Sequence, residues 1–171
     1  MEKIKMMPDS VVNVVLAGIG GQGVLKASDI LSDAAFRAGY DVKKSEIHGM
    51  SQRGGSVSSD VRFGPEVFSP MVPPGCADFL VVLEETQVEP NRHRLHPEGV
   101  LIELSFLDKA KISNRKSLNV ALLGVLSGYL DIEISFWLEA IRAGLPENLH
   151  EVNLTSFEIG RQAIGSMTRA D

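Results

Sequence analysis

A short, almost wholly apolar run, VVNVVLA at residues 11–17, ends in the turn Gly18-Ile19-Gly20-Gly21-Gln22-Gly23 and passes straight into a helical pattern. Valine dominates the run, as in a strand buried on both faces of a parallel sheet. Beyond the turn, Val24, Ala27, Ile30, Leu31, Ala34, Ala35 and Ala38 recur at three- and four-residue spacing, and Gly39 follows. That stripe marks a helix buried along one face, and a glycine just past its end can take the left-handed conformation that closes a helix. Strand, glycine turn and helix make half of a β-α-β unit, which commits the chain to an α/β architecture.

The remaining segments extend that plan. Residues 40–47 read as a second strand. Residues 56–63 alternate, with Val57, Val61 and Phe63 on one side and Ser58, Asp60 and Arg62 on the other, the pattern of a half-exposed antiparallel strand. Gly64-Pro65 starts a turn, and residues 70–75 are rich in proline and glycine before the apolar run at 77–83 (ADFLVVL). Residues 88–95 predict a short helix, Pro97-Glu98-Gly99 a turn, and 100–104 a further buried strand. Helices are predicted over 118–129, 134–142 and about 153–164, with Gly144 and Pro146 between the last two. The expected fold is a three-layer α/β/α, Rossmann-like arrangement with a mixed, mostly parallel sheet. It forms one domain over residues 1–171, with 1–10 as a flexible tail.

Composition narrows the function classes. The net charge is -5, whereas proteins that bind nucleic acid concentrate positive charge, so nucleic acid is not an expected partner. No apolar stretch reaches the roughly 20 residues of a membrane span, and the N-terminus lacks a signal-peptide core, so a cytoplasmic location is expected. Cys76 is the one cysteine; an intramolecular disulfide and a four-thiolate iron–sulfur cluster are both excluded for this chain. No cation flanks Cys76 to activate it, so it reads as structural. His93 and His96 lie among arginines without metal-ligand partners and read as a solvated basic patch.

Two loops carry the candidate chemistry. The first turn satisfies G-x-G-x-x-G, so Gly18, Gly20, Gly21, Gln22 and Gly23 are candidates for holding a phosphate-bearing ligand at a helix N-terminus. The same turn equally suits a tight strand-to-helix crossover that needs glycine for packing. A dinucleotide site also needs an acidic residue about 20 residues on, at the end of the second strand. Asp41 and Glu46 are the candidates, though neither ends an apolar strand. The second loop, Glu46-Ile47-His48-Gly49-Met50-Ser51-Gln52-Arg53-Gly54-Gly55-Ser56, is dense in hydrogen-bonding groups. Arg53 beside Gly54 and Gly55 could present a guanidinium and backbone amides to a phosphate or carboxylate, with Ser51 and Gln52 as neutral donors. A self-folded polar loop is the competing account. His48 lacks any nucleophile–base–orienter spacing, and no catalytic residue is assigned within the chain.

In their order along the chain, GIGGQG, EIHGMSQRGGSV and ADFLVVLE resemble the gamma subunit or domain of 2-oxoacid:ferredoxin oxidoreductases. The EIHGMSQRGG string resembles in particular the smaller subunit of the indolepyruvate-type members. The similarity runs from about residue 11 through EVNLTSFEIG at 151–160. It implies a catalytically silent subunit that assembles with thiamine-diphosphate-binding and iron–sulfur subunits. Those partners would hold thiamine diphosphate, Mg2+ and the clusters, and would pass electrons to ferredoxin. By the same resemblance Gly18, Gly20, Gly21, Gln22 and Gly23 would face coenzyme A or a partner. Glu46, His48, Ser51, Gln52, Arg53, Gly54 and Gly55 would line the active-site or partner-facing loop. Without partners, the chain is expected to expose an apolar patch and self-associate, as a homodimer in the simplest case.

Two other readings stand beside this one. A stand-alone Rossmann-like nucleotide-binding protein is permitted by the glycine turn but disfavoured by the missing acidic strand end. A purely structural assembly subunit would use both loops for docking alone.

Overall fold

The computed structural model describes residues 9–49 and 54–167. Strands β1 (Val12–Ile19), β2 (Asp41–His48), β3 (Ser56–Gly64), β4 (Ala77–Val82) and β5 (Leu95–Glu103) form one sheet. Their order is β2-β3-β1-β4-β5. β3 runs antiparallel to both β1 and β2, whereas β4 is parallel to β1 and to β5. The sheet is therefore mixed, with β3 alone reversed. β1 has an antiparallel neighbour on one side and a parallel one on the other, rather than two parallel neighbours.

Helices lie on both sides of the sheet. On one face, α1 (Val24–Arg37), α3 (Leu118–Ser127), α4 (Ile134–Gly144) and α5 (His150–Met167) pack over Val14, Leu16, Phe63 and Phe79. The apolar stripe predicted for α1 is the buried one: Val24, Ala27, Ile30, Leu31, Ala34 and Ala35 all face the core. The opposite face is covered thinly, by the coil 65–76 and the one-turn helix α2 (Val88–Asn91), which bring Val72 and Val88 onto Val15, Leu80 and Val82.

Three local expectations are corrected. β3 is not half-exposed: Asp60, on its polar side, is 1% accessible. Its carboxylate accepts from Arg94 Nη2 at 2.6 Å and from the Val72 backbone N–H at 2.9 Å. A charge can be buried when it is paired and hydrogen-bonded, and alternation along one strand cannot show a partner that arrives from elsewhere in the chain. Pro97-Glu98-Gly99 is not a turn but lies within β5, whose register against β4 shifts between Ala77 and Phe79. The predicted 88–95 helix splits into α2 and a 3-10 turn at Arg92–Arg94, because Leu95 already belongs to the strand.

No helix among the described residues is long and apolar enough to cross a membrane. Cys76 is exposed, so it does not pack as a buried structural thiol. His93 and His96 are also exposed.

Candidate functional site

The glycine turn follows β1 and caps α1 with backbone alone. Gly21 and Gly23 have φ of 90° and 82°, left-handed values that favour glycine. Gly23 is the N-cap, and no side chain caps the helix there. First-turn N–H groups of such a helix have no intrahelical partner and are available to an anion or to water. A Cβ on Gly21 would meet nothing within 4 Å, so this residue borders open space.

Gln22 holds the turn in shape. Its Oε1 accepts from the Ile19 backbone N–H at 2.9 Å, and its Nε2 donates to Glu84 Oε2 at 2.9 Å. Glu84 follows β4, so the amide ties together two strand ends. Gly18 leaves room for this brace: a Cβ there would sit 2.8 Å from Gln22 Oε1. Behind the turn, Asn119 Nδ2 at the start of α3 donates to the Gly23 carbonyl at 3.1 Å.

The second loop is joined to the first. The Gly20 N–H donates to the Gly55 carbonyl at 2.9 Å, and Gly49 N–H donates to Ser56 O at 2.6 Å. Gly54 has φ of 67°, and its backbone N would lie 3.5 Å from a Cβ on Gly20. Two motifs 30 residues apart thus form one surface at the ends of β1, β2 and β4. Ser51, Gln52 and Arg53 lie outside the described residues.

Open space flanks the turn on both sides. One groove, of about 430 Å3, runs between Gly20, Gly21, Lys26 and His48. The other, of about 560 Å3, is bordered by Gly21, Gln22, Glu84, Lys109, Arg115 and Lys116, with Leu83, Leu104 and Leu118 also lining it. The larger cleft sits beyond the carboxyl ends of the parallel strands β1, β4 and β5, where connections leave to opposite faces. Open α/β sheets bind ligands in such crevices.

Neither acid proposed for a dinucleotide ribose occupies that crevice. β2 is the sheet edge, separated from β1 by β3. Asp41 is at its far end, where its carboxylate accepts from Val67 N–H at 2.8 Å; that bond holds its pKa below the ordinary carboxylate value. Glu46 accepts from Lys44 at 2.7 Å and lies 3.8 Å from His48 Nε2. Burial pulls the Lys44 ammonium down, but its bonds to Asp29 and Glu46 outweigh this and raise its pKa. The acid beside the glycine turn is Glu84. Sequence reasoning missed it, together with Lys109, Arg115, Lys116 and Asn119. A search of every predicted parallel strand end, rather than the second strand alone, would have found Glu84. The cations were visible as an unexplained basic stretch after the last strand. Among the described residues no cluster of three His, Cys, Asp or Glu side chains could hold a metal ion.

Comparison with known proteins finds relatives over most of the chain. Residues 13–109 match the model for the pyruvate ferredoxin/flavodoxin oxidoreductase family. The chain is 34% identical to indolepyruvate oxidoreductase subunit IorB of Thermococcus kodakarensis, over 91% of this chain and 96% of that protein. It is 32% identical to the subunit of the same name from Pyrococcus horikoshii, over 91% and 96%. Among solved structures, the keto/oxoacid ferredoxin oxidoreductase gamma subunit of Geobacter sulfurreducens matches with a TM-score of 0.73 at 20% identity, over 91% of this chain and 98% of that one. The 2-oxoglutarate:ferredoxin oxidoreductase of Magnetococcus marinus, solved with 2-oxoglutarate, coenzyme A and succinyl-CoA bound, matches with a TM-score of 0.79 at 20% identity, over 95% of this chain and 32% of that one.

Proposed function

The chain belongs to the pyruvate ferredoxin/flavodoxin oxidoreductase family, and on that premise we propose that it is the gamma-type subunit of a thiamine-diphosphate-dependent 2-oxoacid:ferredoxin oxidoreductase. The complex would convert a 2-oxoacid and coenzyme A into acyl-CoA and carbon dioxide, releasing two electrons through iron–sulfur clusters to ferredoxin. Indolepyruvate or another aryl pyruvate is the substrate class that the relatives' names favour.

The observation that carries the reading is the joining of both glycine loops into one surface through the Gly20–Gly55 hydrogen bond. Such a surface offers backbone donors and an open cleft but needs no nucleophile of its own. Thiamine diphosphate, with Mg2+, supplies the carbanion chemistry when bound, and those groups belong to partner subunits. One cysteine in the whole chain does not fit a cluster ligand set, so the iron–sulfur clusters are assigned to partners too.

The residues here bind and orient. Gly18, Gly20, Gly21, Gln22 and Gly23 would form the wall toward coenzyme A. Glu46, His48, Ser51, Gln52, Arg53, Gly54 and Gly55 would face the thiamine-bearing subunits, excluding water from the reacting carbon. Arg53→Ala in the reconstituted complex tests this assignment. Loss of a charge-assisted contact should cost about 1.5–3 kcal/mol, raising the KM for coenzyme A or the 2-oxoacid ten- to hundredfold while assembly persists. Unchanged kinetics with impaired assembly would instead establish a purely structural subunit.

A further inference from the structure

The sheet ends in two edge strands, and they differ in how they treat a neighbour. β5 carries Pro97, which has no N–H to offer, and its register against β4 shifts between Ala77 and Phe79. Prolines and irregularities of this kind keep edge strands from pairing with another chain. β2 has neither. Its eight residues contain no proline and pair with β3 without interruption. No residue of β2 is buried, and Ile47 is 47% accessible.

The direction of the backbone groups on the β2 edge follows from the ladder. Gly49 N–H donates to Ser56 O at 2.6 Å, and Ser45 O accepts from Ser59 Oγ at 3.4 Å. The odd-numbered residues of β2 therefore turn their N–H and C=O toward β3. Alternation along an antiparallel ladder then turns those of Val42, Lys44, Glu46 and His48 outward. The Val42 N–H is drawn toward the Asp41 carboxylate; the remaining groups form a template for a further strand. The side chains of the same four residues lie on the α1 side of the sheet. There Lys44 bonds Asp29 and, at 2.7 Å, Glu46.

We infer that β2 is the pairing edge for a second copy of this chain, antiparallel across a two-fold axis, with Ser45 opposite the partner's Ser45. An axis normal to the sheet keeps each residue and its mate on one face, so the central residue pairs with itself. Centring on Lys44 sets it against the partner's Lys44, and centring on Glu46 sets it against the partner's Glu46. Like charges directly opposite are unfavourable. Centring on Ser45 instead sets Lys44 against the partner's Glu46 and Glu46 against the partner's Lys44. Four charges of alternating sign then form a closed quartet, and the outward backbone groups of these residues meet in hydrogen-bonded pairs. Lysines on an edge strand usually deter pairing; here they exclude the wrong registers. The inference goes beyond the assignment of the chain to a larger complex and does not depend on it. The pairing brings the partner's Asp41 opposite Gly49, so Glu46 and the second loop lie where the second copy meets the other subunits.

Analytical sedimentation of the full chain over a range of concentrations, with thermal denaturation as a check on folding, tests the pairing. The parent should dimerise. Lys44→Glu and Glu46→Lys each turn both cross-strand pairs repulsive and should each raise the dimer Kd at least about tenfold. Mixed in equal amounts, the two variants should associate at least as tightly as the parent, because the carboxylates of one now face the ammonium groups of the other. Misfolding of either variant cannot produce that recovery. In a Cys76→Ser background, Ser45→Cys should oxidise to a covalent dimer, since facing residues of a non-hydrogen-bonded pair lie about 4.5 Å apart at Cα, within disulfide reach. Lys43→Cys should not, because it sits opposite the partner's Ile47.

A parent chain that stays monomeric at its highest soluble concentration would overturn the proposal, as would charge variants that associate like the parent or a mixture no tighter than either variant alone. Absence of the Ser45→Cys disulfide would overturn the Ser45-centred register. Protection of the β2 amides from exchange in the assembled complex, with the isolated chain monomeric, would assign the edge to a strand of a different subunit and likewise defeat the pairing of two copies.

Discussion

Replacing Gln22 by Glu changes one group in the brace that shapes the glycine turn. The new carboxylate can still accept from Ile19 N–H, but where Nε2 donated to Glu84 Oε2 at 2.9 Å two negative oxygens now face each other. Two unit charges at that separation repel by about 1.4 kcal/mol in a water-like medium and about 6 kcal/mol at an effective dielectric constant of about 20. Both side chains are partly accessible and can swing apart, which favours the lower end, and the lost donor adds to it. We expect a destabilisation of about 2–4 kcal/mol at pH 7, or about 5–15 °C in Tm for a domain of this size. The loss should shrink as the solution is acidified, beginning above the ordinary carboxylate range, because the repulsion itself raises the pKa of one carboxyl and a proton there removes one of the two charges. Adding Glu84→Gln restores a donor–acceptor pair with reversed polarity, so the double variant should return to within about 1 kcal/mol of the parent. Thermal denaturation of the parent, both single variants and the double variant measures the coupling directly. Additive losses, with no recovery in the double variant, would refute the brace.

Three further predictions concern the scaffold that presents the site. At the α3–α5 crossing, a Cβ on Gly160 would lie 1.8 Å from the Ala121 carbonyl oxygen, and one on Gly124 2.0 Å from that of Phe157. Gly160→Ala should therefore cost about 1–3 kcal/mol in chemical denaturation despite alanine's better helix propensity; a neutral outcome would mean that the helices separate freely. Asp60→Ala leaves the Arg94 guanidinium, whose side chain is 12% accessible, without its counter-charge and Val72 N–H without its acceptor. It should cost about 3–5 kcal/mol and open the coil 65–76 to limited proteolysis. Asp41 has its folded pKa depressed by the Val67 N–H, so its contribution is present above the unfolded pKa and lost as pH falls through the folded one. Amide exchange at Val67 should accelerate in that acidic window and be independent of pH there in Asp41→Asn, once intrinsic exchange is corrected for.

Local signals were legible where the chain needs only its neighbours. The valine-rich strand, the glycine turn, the α1 stripe and the reversed direction of β3 all follow from adjacent residues. The burial of β3 did not, because Asp60 is neutralised by Arg94, 34 positions away. β5 was cut short because Pro97 and Gly99 read locally as a turn, and pairing with β4 overrides that preference. At the site, both glycine loops stood out as separate motifs. Their union through Gly20 and Gly55, the Gln22–Glu84 brace and the cations of residues 109–116 appear only when the sheet brings distant strand ends together.

The central claim, that this chain is an obligatory member of a larger oxidoreductase, is tested most directly by omission and add-back. The thiamine-bearing and iron–sulfur subunits would be purified with and without it, and dye reduction dependent on both 2-oxoacid and coenzyme A would be followed. Turnover that is absent without the chain and returns when it is supplied is the predicted result. Equal turnover in its absence would contradict the account.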